Sequence, residues 1–444
     1  MAQTTCVPLT SGVRADQADL TPNLVKQLAQ EAKRPQMKSD SIGARLAAAL
    51  LRDAWDHRAT DVHLEPYGDG VRVRMRIDGI IADTVTLTRE QAKRLGNQIR
   101  TLSSLDPIRS FVPQESRWSW SFDGHALDVR LTIAPCVNGE TIAIRLLDPS
   151  RISQHIGELG LDDAHQNRVL QWLGNVSGML LVTGPTGSGK TTTLYAMLHE
   201  LRQQPRNVVT IEDPVEYKID GITQLQVNQR HGVTFAKGLK TILRMDPDYL
   251  MLGEIRDADS ARSAADASIS GRVLMSTLHS RDAVGAVSAL RNWGLKDLEI
   301  AVSLSVVFAQ RLVRRLCSHC RQLEAPTVND RTWLKSMRLP APEKVWHPVG
   351  CDQCHNVGYR GRTGVFEIWR LDESSYDRIL SGADERSLRA HLARQQFRTL
   401  VADGMIKAVK GITSIDELRS MGEVVPSQPE MLDALAETLT RSAA

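Results

Sequence analysis

The stretch GPTGSGKTTTLY, Gly184 to Tyr195, constrains this chain more than any other part of it. Its spacing puts Gly184, Gly189, Lys190 and Thr191 where a phosphate-binding loop of the form G-x-x-x-x-G-K-[ST] needs them. Glycines let backbone N–H groups wrap a phosphate, and the helix that follows offers its positive N-terminal end. Lys190 can reach the β- and γ-phosphates, and the Thr191 hydroxyl can hold Mg²⁺. The loop Gly184, Pro185, Thr186, Gly187, Ser188, Gly189, Lys190, Thr191 and Thr192 is therefore expected to bind ATP with Mg²⁺. What the hydrolysis drives is not written in the loop, since pumps, helicases, kinases and mechanical motors all use one.

Four short apolar runs, GMLLVTG, NVVTIEDP, DYLMLGEIRD and RVLMSTLHS, alternate with helical stretches from about residue 170 to residue 311. Runs of this kind ending in polar residues are the pattern of buried parallel strands, and ligands bind beyond the carboxyl ends of such strands. An α/β nucleotide-binding core is the expectation. IEDPVE places Glu212, Asp213 and Glu216 at one strand end; GEIRD places Glu254 and Asp257 at the next. Triphosphate hydrolysis needs one carboxylate for Mg²⁺ and one to orient the attacking water. Glu216 and Glu254 are expected to serve, whereas Asp213 and Asp257 read equally well as helix caps or surface charges. His279 closes the fourth run. A lone histidine is usually a hydrogen-bonded structural residue, but this location favours a phosphate-sensing role.

Upstream the period changes to two. Val71, Val73, Met75 and Ile77 alternate with Arg72, Arg74 and Arg76. Trp118, Trp120 and Phe122 alternate up to Asp123-Gly124, and Leu127, Val129, Leu131 and Ile133 alternate away from it. These are half-buried strands, preceded by an amphipathic helix with Ile42, Leu46, Ala49, Leu50 and Trp55 on one side. Residues 40–150 thus read as a small α+β domain after a polar, poorly ordered tail over 1–39. Arg117, Arg130 and Arg145 lie on or beside its strands. They form either a solvated strand face or a set of cations reaching a nucleotide on the next domain, in which case catalysis requires the two domains to close. Asp61, His63 and Glu65 share a strand face, but the two carboxylates would stand about 13 Å apart at roughly 3.3 Å per residue. One ion cannot join all three without a bend, so they are expected to be structural.

Four of the six cysteines stand in two pairs, Cys317-x-x-Cys320 and Cys351-x-x-Cys354. Soft ligands so arranged suit closed, tetrahedral, structural Zn²⁺, against the alternatives of ordinary reduced thiols or a redox pair. Residues 312–360 read as this zinc module and 361–444 as a charged helical region. With a net charge of +3 and 5% aromatic residues there is no basic, base-stacking surface, so nucleic acid is not expected as a partner. The run Ile300 to Leu312 is broken by Ser303, Ser305, Gln310 and Arg311 and is too short and polar to span a bilayer. The N-terminus lacks the pattern of a secretory signal. A cytoplasmic protein that meets a membrane only through a partner is the expectation.

Taken together these stretches resemble the secretion ATPases of the type II secretion and type IV pilus assembly family, over about residues 40–420. ATDVHLEP with VRVRMRIDG resembles the family's second N-terminal domain. GPTGSGKTTTLY resembles its Walker A, TIEDPVEY its Asp box, DPDYLMLGEIRD its Walker B and GRVLMSTLHSRDA its His box. AQRLVRRLCSHC with CDQCHNVGYRGRTGVFEI resembles the tetracysteine zinc module of the assembly branch, which the retraction ATPases lack, and DGMIKAVKGITSIDEL the C-terminal signature. The resemblance implies a RecA-like core over 151–311 behind a PAS-like domain, in a homohexamer with nucleotide between the two domains of a subunit. It implies Walker A roles for Lys190 and Thr191, water activation by Glu216, a Mg²⁺ role for Glu254, and phosphate contacts for Arg117, Arg130 and Arg145. It further implies an inner-membrane platform protein as partner and the assembly of pilin-like subunits as the work. Three departures stand out. Gly271-Arg272 replaces the usual Gly-His, QESR at Gln114 to Arg117 replaces QDGR, and the family's first N-terminal domain is expected to be absent. A nucleic-acid-stimulated motor, such as a helicase or conjugative ATPase, and a ring component that binds nucleotide without turnover are the alternatives.

Overall fold

A computed structural model of the chain describes residues 23–26, 28, 39–106, 112–148, 155–337, 339, 341–395 and 397–422. They divide into two units. The first comprises the described residues through 148 together with Cys317–Cys320 and Pro348–Gly361. Its strands β1 (Ala59–Tyr67), β2 (Gly70–Ile77), β3 (Ile80–Thr88), β4 (Gln114–Phe122), β5 (His125–Cys136) and β6 (Gly139–Leu147) form one sheet in the order β3-β2-β1-β6-β5-β4. Every neighbouring pair is antiparallel.

Alternation along these strands sends Val62, Leu64, Val73, Met75, Val129, Leu131 and Ile144 to one face, where they are buried. Helices Ser39–Asp56 and Arg89–Leu102 pack Leu46, Leu50, Leu95 and Ile99 into the same core. The second helix starts at a capping box in which the Thr88 hydroxyl and the Gln91 side chain each bond the other's backbone N–H. Leu24 is fully buried in this core, and its N–H donates to the carboxylate of Asp53 at 2.8 Å. Apart from residues 23–26 and 28, the tail expected before residue 39 lies outside the described residues. On the opposite, polar face Asp61 pairs with Arg145 at 3.0 Å and Arg76 at 3.5 Å, and Glu65 with Arg74 at 2.5 Å. The acids beside His63 are thus structural ion-pair partners, as the spacing argument required.

The second unit holds the described residues from 155 to 316, from 321 to 347 and from 362 onward. Its sheet contains β7 (Gly178–Thr183), β8 (Val208–Glu212), β9 (Thr223–Gln226), β10 (Tyr249–Leu252), β11 (Val273–Leu278) and β12 (Leu304–Leu316). A small hairpin of β13 (Gln322–Glu324) and β14 (Val345–His347) follows, and β15 (Tyr359–Arg370) closes the sheet, ordered β15-β12-β7-β11-β10-β8-β9. From β12 to β9 every pairing is parallel.

Both faces of this sheet are covered. Met179 and Leu181 enter one apolar core while Leu180 and Val182 enter the other, and on β10 Leu250 and Leu252 oppose Tyr249 and Met251 in the same way. Strands buried on both sides must be apolar at every position, which explains the unbroken runs in the sequence. The sheet extends past residue 311, its expected end, because β12 continues to Leu316 and β15 joins it. Gln310 and Arg311, two of the polar breaks in the run Ile300 to Leu312, are a buried and a half-buried position within the strand. Helices Glu373–Leu380, Glu385–Arg394, Leu400–Val409 and Ile415–Ser420 follow, and residues 423–444 lie outside the described residues. Among the described residues no helix is long and apolar enough to cross a membrane.

Candidate functional site

β7 delivers the chain to the phosphate loop at its carboxyl end, and helix Lys190–Leu201 begins directly after it. Gly184 and Gly189 hold φ of 153° and 88°. A Cβ at Gly184 would meet the Gln310 carbonyl oxygen at 2.4 Å, and one at Gly189 the Gln310 side-chain nitrogen at 2.7 Å. Both positions need glycine for backbone conformation and for close approach. Gln310 itself is buried. Its amide donates to the Ser188 carbonyl at 2.8 Å and accepts from the Thr193 hydroxyl at 2.6 Å. This latch from β12 went unrecognised in the sequence, where the signal was a polar residue inside an otherwise apolar strand.

A cavity of about 460 Å³ opens at the carboxyl ends of the strands. Lys190, Thr191, Glu216, Glu254 and His279, drawn from four separate segments, all line it. Lys190 folds back on the loop, donating to the carbonyls of Gly184 at 2.8 Å and Pro185 at 3.1 Å. Burial, and then the positive charge of Arg311, push its pKa down to about 8. A phosphate bound beside it would add countercharge and raise it. If Lys190 holds phosphate, affinity should then be full below about pH 8 and fall by up to tenfold per unit above it. Nucleotide titrations from pH 7 to pH 10 should show this slope, and Lys190→Arg, which stays charged, should flatten it. A flat profile in the unmodified protein would remove Lys190 from phosphate binding.

The acidic strand ends carry a cation of their own. Arg256 contacts Glu254, donates to Asp213 at 3.2 Å and lies over the Phe235 ring. GEIRD displays this arginine, but nothing in the string tells which way it turns. Asp257 instead caps helix Ala258–Ile269, accepting the Ser260 N–H at 2.8 Å, so of its two readings the structural one holds. Asp213 lines the cavity. His279 follows β11, and burial, then Lys190, lower its pKa, leaving a neutral ring beside the loop at pH 7. Arg362, on β15, also lines the cavity and was not anticipated. Arg272 precedes β11 and bonds to Ser270, at the opposite end of a strand about 20 Å long. Arg272 is not among the residues that line the cavity.

In the first unit, strand register joins the three candidate arginines. Arg117 stands opposite Arg130, Arg130 opposite Arg145, Arg145 opposite Asp61, and Asp61 opposite Arg76. Like charges directly opposite one another destabilise a sheet. The row holds four arginines and a single aspartate.

The four cysteines Cys317, Cys320, Cys351 and Cys354 form one cluster with all sulfurs within 4.8 Å of one another. Contacts of 3.9, 3.7 and 3.8 Å for Cys317–Cys351, Cys320–Cys354 and Cys351–Cys354 match the edge of about 3.8 Å of a tetrahedron with Zn–S near 2.3 Å. Backbone N–H groups of Gly350 and Gly358 donate to Cys320 and Cys354, each at 3.2 Å. Burial pushes the Cys320 thiol up to about 12. The cluster is compatible with zinc. His355 lies outside it, with its ring nitrogen 3.1 Å from that of His57.

Residues 36–420 match the family described as type II/IV secretion system protein. The chain is 40% identical over 395 residues to type II secretion system protein E of Aeromonas hydrophila, covering 89% of this chain and 78% of that protein. It is 38% identical over 410 residues to type II secretion system ATPase E of Vibrio cholerae, covering 92% and 81%. Its structure is similar to that of the Legionella pneumophila ATPase DotB, with a TM-score of 0.62 and 20% identity over 84% of this chain and 94% of that one. The pilus retraction motor PilT with bound ADP gives a TM-score of 0.58 and 21% identity over 86% and 98%. At those identities the two structures establish the fold alone.

Proposed function

This chain belongs to the type II/IV secretion system protein family and is an ATP-hydrolysing enzyme, and from that premise we propose that it is the motor of a type II secretion or type IV pilus assembly machine. The observation that carries the reading is the convergence of Lys190, Thr191, Glu216, Glu254 and His279 on one cavity. Lys190 and the loop amides hold the β- and γ-phosphates, Thr191 and Glu254 hold Mg²⁺, Glu216 orients the attacking water, and His279 contacts the γ-phosphate. Held by Thr191 and Glu254, Mg²⁺ would supply neutralisation of phosphate charge. Arg117, Arg130 and Arg145 supply further positive charge when the arginine row meets the nucleotide, within a homohexamer. Zn²⁺ held by the four cysteines is structural. The work is delivered to an inner-membrane platform protein, which attaches the otherwise cytoplasmic motor to the membrane.

The test is ATP hydrolysis by the purified protein with its mass recorded, with and without the cytoplasmic part of a candidate platform protein, and with and without single-stranded DNA. Stimulation by the platform fragment in a hexameric fraction is the expected result. Stimulation by DNA alone would overturn it. For the arginine row, Arg130→Ala should cut turnover by roughly ten- to hundredfold, the worth of one charge-assisted bond of about 1.5–3 kcal/mol, while nucleotide affinity changes far less. Unchanged turnover would return Arg130 to a solvated strand face.

A further inference from the structure

Glu212 ends β8 at 3% exposure and, with Tyr195, is among the residues that line the cavity. Its carboxylate gathers three donors: the Thr210 hydroxyl at 2.6 Å, the Gln224 amide at 3.1 Å and the Tyr195 hydroxyl. Two of these donors also grip the loop that joins β8 to β9. The Tyr195 oxygen accepts the backbone N–H of Glu216 at 3.1 Å. The Gln224 side chain accepts the N–H of Ile219 at 2.8 Å and donates to the carbonyl of Tyr217 at 3.2 Å. Three backbone atoms of one loop are thus fixed by side chains that converge on one buried carboxylate.

We propose that Tyr195 and Glu212 form a buried clamp that positions Glu216 against the nucleotide, so that Tyr195 is a positioning residue for hydrolysis. The inference rests on the reading of Glu216 as the residue that orients water. Tyr195 is fully buried on the helix that starts the phosphate site, four residues after Thr191 and on the same helical face. Its hydroxyl therefore ties the loop carrying Glu216 to the same rigid element that holds the phosphates. The ring is held in turn against Tyr217, with centroids 4.5 Å apart. A buried carboxylate is costly, and an apolar residue at 212 would pack more cheaply. What the acid adds is direction: it orients the Tyr195 hydroxyl so that an oxygen lone pair faces Glu216. A catalytic group misplaced by about 1 Å loses roughly 10²-fold in rate, so such a clamp has a large effect without touching the reacting atoms.

A double-mutant cycle of Tyr195→Phe with Glu216→Gln, read as kcat, KM and melting temperature, tests this. Tyr195→Phe should lower kcat by roughly ten- to hundredfold with KM for ATP little changed, while the melting temperature falls only by the few degrees that one lost buried hydrogen bond of about 1–3 kcal/mol costs. In the Glu216→Gln background the same substitution should cause no further loss, because groups acting as one unit are not additive. An equal fold loss in both backgrounds, or a rise in KM with kcat intact, would overturn the clamp. If Glu216→Gln alone keeps full turnover, the reading of Glu216 fails and the clamp falls with it. If Glu216→Gln is inactive and Tyr195→Phe is normal, only the clamp fails. Should Tyr195→Phe not fold, Gln224→Ala frees the Tyr217–Ile219 end of the loop and runs through the same cycle with the same criteria.

Discussion

Glu216→Gln is expected to bind ATP as the unmodified protein does and to turn it over roughly 10²–10⁴-fold more slowly, the usual worth of a positioned proton acceptor. The substitution keeps size and hydrogen-bonding capacity and removes only the charge that draws a proton from water. Glu216 lines the cavity, and its backbone N–H is held by Tyr195, so the altered side chain stays in place. Glu254→Gln should stop turnover to a similar degree by a different route. Glu254 is in contact with Arg256 and faces the cavity. Losing its charge weakens metal binding, so the Mg²⁺ concentration for half-maximal rate should rise, whereas Glu216→Gln should leave it unchanged. Steady-state rates over a Mg²⁺ series, with nucleotide affinity measured in parallel, separate the two roles. Full activity in either variant would sink its assignment, and a shifted Mg²⁺ requirement in Glu216→Gln alone would exchange them.

The second large effect is on folding. Replacing Cys317 and Cys351 by Ser removes one ligand from each pair, and no metal can then be held tetrahedrally. Structural zinc sites in small peptides contribute about 10–16 kcal/mol of binding energy; a large domain with its own core depends on the metal less. A loss of about 3 kcal/mol, felt by a unit of this size, lowers the melting temperature by roughly 6–12 °C. Metal analysis of the unmodified protein should find one zinc per chain, and of the double variant none. An unmodified protein free of zinc, or a double variant with unchanged melting, would overturn the structural-metal assignment. Tyr359 directly follows Gly358, which donates to Cys354, so metal loss should be felt first where β15 begins.

The alternation of Val71, Val73 and Met75 with arginines was enough to place a half-buried strand, because period two is a property of neighbouring residues. The all-apolar runs of β7, β8, β10 and β11 were legible for the same reason. Boundaries were less so. β12 runs on to Leu316 because Gln310 is satisfied by Ser188 and Thr193, partners more than a hundred residues away. A polar residue so bonded lies inside a strand although its type argues for an end.

What the sequence determined by itself was the local chemistry: a loop able to wrap phosphates, carboxylates at strand ends, and two cysteine pairs at a spacing suited to one metal. Each depends on residues a few positions apart, whose geometry the backbone dictates. Tertiary structure alone decided which of these groups meet. It turned Arg256 toward Glu254 while Asp257 capped a helix. It aligned Arg117, Arg130 and Arg145 in one row and buried Glu212 beneath Tyr195. The physical reason is register. Crossover connections and cross-strand pairing join residues tens to hundreds of positions apart, and those pairings are set by the packing of whole faces rather than by any short string of residues.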